Sequence, residues 1–182
     1  MNDQRSSLRS RALRHAFSLV ELVVVVVIIA VIAAIAVPRL SSASKGTQET
    51  ALVESLAALR TAIDMYAAEH GGTFPGVQPD GKGNGANSAG AMINQLTKHS
   101  SATGEVADVW DAAHPFGPYL WRIPPAPVGT NKGDTQVAID VANSPPLVTT
   151  GNEGWLYNPV TGRIMVNSDD PNAGGTLTFD EY

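Results

Sequence analysis

The run FSLVELVVVVVIIAVIAAIAV, residues 17–37, constrains this chain more than any other feature. Its 21 residues, at about 1.5 Å of rise each, make a helix of roughly 30 Å, the thickness of a bilayer's hydrocarbon core. Val23 to Ile29 are all β-branched and would form a mediocre helix in water. In lipid, an open segment satisfies its main-chain hydrogen bonds only as a helix, so a membrane-spanning helix is predicted. One residue resists that reading. Glu21 puts a carboxylate inside the run, and a charge at a helix centre costs about 2.5 to 3.5 kcal/mol.

Upstream, Arg5, Arg9, Arg11 and Arg14 stand against Asp3 alone. A positive flank stays on the cytoplasmic side, so everything after Pro38 is expected to face outward. The formal net charge is -5; without the +3 of the first sixteen residues, the rest of the chain carries -8. So acidic a remainder repels phosphate backbones and argues against a nucleic-acid partner. Cysteine is absent, which removes disulfides, thiolate nucleophiles and Cys-based zinc sites. With 182 residues, 43% of them hydrophobic, the length suits one compact domain beside the apolar segment and argues against a multidomain enzyme.

Three readings of the apolar segment compete. As a secretory signal it offers Ala34-Ile35-Ala36 for cleavage, but it exceeds the usual h-region of about 7 to 15 residues and Pro38 follows close behind. As a plain single-span anchor it places Glu21 near the cytoplasmic face, where partial hydration lowers the cost of the charge. The third reading takes Arg14-His15-Ala16, then Phe17-Ser18-Leu19-Val20-Glu21, the apolar helix and Pro38 as one constellation. It resembles the type III signal sequence of type IV pilins and of the pseudopilins of type II secretion systems.

That resemblance implies a prepilin peptidase that cuts between Ala16 and Phe17 at the cytoplasmic face, and N-methylation of the new Phe17 amine. It implies that Glu21 meets the amine of a neighbouring copy during assembly, and that Pro38 bends the helix where it leaves the membrane. The implied function is a structural subunit of a periplasmic pseudopilus in a type II secretion-like system, neither an enzyme nor a cofactor binder. Its implied partners are the peptidase, other copies, minor pseudopilins, an inner-membrane platform and a cytoplasmic ATPase. The implied location is the inner membrane: a single pass, N-terminus cytoplasmic, C-terminal domain periplasmic. A type IV pilin for adhesion, motility or DNA uptake is the alternative within the class; a membrane-anchored binding or enzymatic domain is the alternative outside it. Two positions depart from the family habit: Ala16 stands where glycine is usual before the cut, and Ala30-Val31 where many relatives carry a mid-helix glycine.

Beyond Pro38, Ser41 to Gly46 read as a weakly helical joint. Leu52, Leu56, Leu59, Ile63 and Tyr66, spaced by fours and threes, then form an apolar stripe that predicts a helix to about residue 70, stopped by Gly71-Gly72. The expected divisions are a leader 1–16, an assembly helix 17–38, an amphipathic helix 39–70 and an outward globular domain 71–182. Within that domain, residues 71–90 are rich in Gly, Pro and Asn and predict an irregular loop. A short helix follows at Ala91 to Lys98. Strands are expected at Tyr119 to Ile123, at Val137 to Val141, and as a hairpin of Trp155 to Asn158 with Arg163 to Asn167; Leu177 and Phe179 add an edge strand. The predicted fold is α+β and pilin-like, a long N-terminal helix packed on a small antiparallel sheet.

Other chemistry is declined. Gly76 to Lys82 spells most of a phosphate loop, but Gly83 stands where Ser or Thr should hold magnesium and no strand leads in. Ala86 to Gly90 resembles a nucleophile elbow without its strand, leaving Ser88 a loop residue. His15, His70, His99 and His114 offer no zinc spacing. The loop from Asp80 begins like a calcium site, yet Lys82 at the third position and Ala91 at the twelfth defeat it. Asp169 and Asp170, in an oxygen-rich turn, are left between a structural calcium ion and a solvated loop.

Overall fold

The computed structural model describes residues 18–172 and 174–182. The chain divides into two compact units, one ending at Ser41 and one running Ser42–Tyr182. The first helix, α1, spans Leu19–Glu69. Its main chain is helical through the β-branched run and through Pro38, where proline has no amide hydrogen to donate to the Ala34 carbonyl.

In the second unit the predicted stripe is the core. Leu52, Leu56, Leu59, Ile63 and Tyr66 are each at most 1% exposed. They pack with Met92 and Leu96 of α2 (Ala89–Thr97) and with Trp155 and Tyr157 of a three-stranded sheet. Helix α2 begins two residues earlier than the pattern suggested, because Ser88 caps it: the Ser88 hydroxyl accepts from the Ala91 amide at 3.2 Å.

Two short strands, β1 (His99–Ser100) and β2 (Val106–Ala107), pair antiparallel; they are too short for any periodicity to reveal. The main sheet has the order β3 (Val137–Ile139), β4 (Trp155–Asn158), β5 (Arg163–Val166). Strands β4 and β5 form the predicted hairpin, with Trp155 opposite Val166 and Asn158 opposite Arg163. Gly162 in its turn has φ +70°, and a Cβ there would lie 2.5 Å from the Phe74 ring, so glycine is required on both counts. Strand β3 ends at Ile139, short of Val141, and pairs parallel to β4, so the sheet is mixed where an antiparallel one was expected. Alternation reveals a strand but not its direction. The 15 residues between Ile139 and Trp155 are enough for the crossover of a dozen or more that a parallel neighbour needs.

Two expected strands are absent from the described residues. Around Tyr119 to Ile123, the amides of Tyr119 and Leu120 both donate to the Leu96 carbonyl at 2.9 Å, so they close the end of α2 instead of joining a ladder. Near Leu177 and Phe179, Thr178 begins a 3-10 helix, Phe179–Glu181; the Glu181 carboxylate accepts from the Thr178 amide at 2.7 Å. Thr-x-x-Glu is a capping-box pattern, a signal the alternation of threonines obscured.

The loop before α2 is organised by Asp80, which has no exposed surface. Its carboxylate accepts from the amides of Lys82 (2.8 Å) and Asn84 (3.1 Å) and from the side-chain amides of Asn84 and Asn94 (2.6 Å each). Burial pushes its pKa up, but the four donors outweigh that and bring it down to about 2. A folded-state pKa below the unfolded value of about 3.9 contributes stability that is complete above that value and lost as pH falls towards 2, on the order of 2 kcal/mol. We expect Asp80→Asn to lower stability at pH 7 by about 1 to 3 kcal/mol, because an amide nitrogen would face N–H donors. The variant should also flatten the acid limb of a urea-midpoint profile between pH 4 and 2; an unchanged limb would show that the carboxylate does not carry it.

Candidate functional site: an exposed apolar helix with a carboxylate in its first turn

The site of interest is the first half of α1. Over Leu19–Ala36, 18 residues with a mean hydropathy of 3.3, none is buried; even the least exposed large side chain, Val25, is 44% exposed. At about 1.5 Å per residue this stretch is roughly 27 Å long, close to the hydrocarbon thickness of a bilayer. An isolated protein in water does not tolerate a contiguous apolar surface of this size. The surface therefore calls for lipid or for other apolar helices as its surroundings.

Glu21 lies in the first turn of α1, and the Leu22 amide donates to the Ser18 carbonyl at 3.1 Å as the helix begins. The opening turn of a helix leaves amides without intrahelical partners and carries partial positive charge. A carboxylate there gains about 0.3 to 1 kcal/mol, which offsets only part of its cost in an apolar setting. The remaining cost requires a cationic partner or water. The leader, with Ala16 and Phe17, lies outside the described residues, as does the Pro38 side chain; the main chain at Pro38 is helical.

The declined motifs find structural roles. Ser88 caps α2. Asp80 and Lys82 sit in the loop just described, and both Asp80 oxygens face N–H donors, an arrangement that suits an anion and not a bound cation. His70 is buried, stacked on Tyr66 with ring centres 3.7 Å apart, its Nδ1 2.8 Å from the Tyr66 carbonyl. His114 pairs with Asp111 at 2.8 Å. Among the described residues no three His, Cys, Asp or Glu side chains are grouped to hold a metal, at the turn of Asp169 and Asp170 or elsewhere. Instead Asp170 accepts from the Ser168 hydroxyl at 3.1 Å. Sequence reading missed two surface features: a groove beside Arg60, and Trp121, which is 94% exposed on a segment read as a short strand.

No curated protein and no solved structure matches the chain. The family model of the prokaryotic N-terminal methylation motif matches residues 11–37, the stretch holding Ala16, Phe17, Glu21 and most of the exposed apolar helix. Such a motif implies processing by a prepilin peptidase and association with a membrane. This chain thus carries a type IV pilin-like prepilin signal, set on an α+β fold of the pilin-like kind.

Proposed function

We propose that the chain is a structural filament subunit of the pseudopilin type, and not an enzyme. The prepilin peptidase cuts between Ala16 and Phe17, the Phe17 amine is methylated, and the subunit polymerises through the first half of α1 into the pseudopilus of a type II secretion-like system. Before assembly the helix resides in the inner membrane with the globular unit on the periplasmic side. A platform in that membrane and a cytoplasmic ATPase feed the filament, which contains further copies and minor pseudopilins. The observation that carries this reading is the methylation motif lying on a helix whose apolar surface is wholly uncovered. Burial of one large apolar side chain is worth about 1.5 to 3 kcal/mol, so moving this helix from lipid into water costs a few tens of kcal/mol. Passage from lipid directly into a bundle of like helices avoids that cost, which is why assembly would need a machine.

The test is the mature N-terminus, read by mass spectrometry on protein from cells that make the peptidase. N-methyl-Phe17 is the expected result. Retention of Met1 would mean a plain anchor, and a start at Val37 a secreted protein; either would end the filament reading. The type IV pilus alternative shares the cleavage and differs in product, so filaments confined to the periplasm separate the secretion reading from long surface fibres.

A further inference from the structure

Trp121 is 94% exposed, yet its loop is held from within. The amides of Tyr119 and Leu120 are tied to the Leu96 carbonyl, and Ile123 is buried. Arg122 beside it is exposed and joins no ion pair among the described residues. This tethered turn thus presents an indole and a guanidinium that have no hydrogen-bond or ion-pair partner among the described residues. Tryptophan and arginine are the residue types most enriched among those that carry interface energy.

Elsewhere in the same globular unit lies a groove of about 950 Å³, at the upper end of the roughly 300 to 1,000 Å³ that houses a drug-sized molecule and therefore roomy enough for both groups. Pro145, Pro146, Leu147 and Val148 supply an apolar wall. Asp64, Asp169, Asp180 and Glu181 line it together with Arg60 and Arg163, an excess of two negative charges. Arg60 donates to the main-chain oxygen of Tyr182 at 2.7 Å, and none of these six groups joins an ion pair among the described residues.

We propose that Trp121 and Arg122 of one copy seat in this groove of the next copy, a head-to-tail contact between globular units along the filament. The indole lies against the proline and leucine wall, and the guanidinium meets the surplus carboxylates. Knob and groove share no residue, so each copy has one of each to offer. A heterologous contact of this kind repeats into an open helical array when its rotation does not close a ring. The inference rests on the filament reading above and adds to it a contact outside the apolar helix.

The chain contains no cysteine, so introduced thiols are unique. Trp121→Cys and Leu147→Cys both alter exposed side chains and should leave the fold intact. The full chain would be expressed with its assembly machinery, and sheared filaments treated with a bis-maleimide. Co-expressed single variants are expected to yield covalent dimers and the double variant a ladder, with neither single variant alone yielding product. In addition, Arg122→Glu should lower filament-associated protein by about tenfold or more, and Asp169→Arg in the same chain should restore it. Filaments that form but give no dimer from the mixed variants would overturn this contact and leave the filament reading standing. Absence of filaments from the unmodified chain would overturn both, and cross-linking of Trp121→Cys to a different protein would assign that surface to another partner.

Discussion

Glu21→Val is expected to leave the chain in the membrane and to abolish its entry into filaments. Valine makes the span more apolar, so insertion is retained or improved. On the proposed function, what is lost is the anion that would offset the Phe17 amine of a neighbouring copy. Bringing an ammonium into an apolar bundle without its partner costs about 3 to 5 kcal/mol, a drop of roughly two to three and a half orders of magnitude in the association constant for each added subunit. Membrane fractionation should show wild-type levels of the variant while sheared fractions contain none. Glu21→Asp, which keeps the charge on a shorter arm, should retain partial assembly. Wild-type filament yield from Glu21→Val would remove the electrostatic account of this carboxylate.

Trp155→Ala is expected to have the largest effect on the globular unit. The indole has no exposed surface, packs in the same core as the stripe of α1, and donates from Nε1 to the Pro124 carbonyl at 2.8 Å. Truncating a buried tryptophan costs about 3 to 5 kcal/mol, and the orphaned carbonyl adds to it. For a domain of this size the melting temperature should fall by roughly 6 to 20 °C. Near-ultraviolet circular dichroism of the full chain in detergent would follow it. Trp121→Ala supplies the contrast, with a change within about 0.5 kcal/mol, because its side chain touches solvent. Equal losses from the two would mean that Trp155 is not the keystone of the core.

Legibility differed along the chain for identifiable reasons. The stripe from Leu52 to Tyr66 was readable because a helix repeats every 3.6 residues and burial must follow that repeat. The hairpin from Trp155 was readable because its turn chemistry is local: Gly162 adopts a positive φ that few other residues tolerate. The segment at Tyr119 was misread because its apolar residues are buried by position and not by period; its amides are engaged by the Leu96 carbonyl, more than twenty residues earlier in the chain. The loop at Asp80 shows the same limit. Nothing local announces that Asn94, in α2, will complete its set of donors.

By itself the sequence determined the long apolar helix, the carboxylate near its start and the amphipathic continuation, because each follows from the hydropathy and spacing of neighbouring residues. Only the tertiary structure decided the parallel pairing of β3, the burial of Asp80, the exposure of Trp121 and the groove beside Arg60. Those depend on residues far apart in the chain meeting in space, and a linear pattern carries no record of the direction from which a partner arrives.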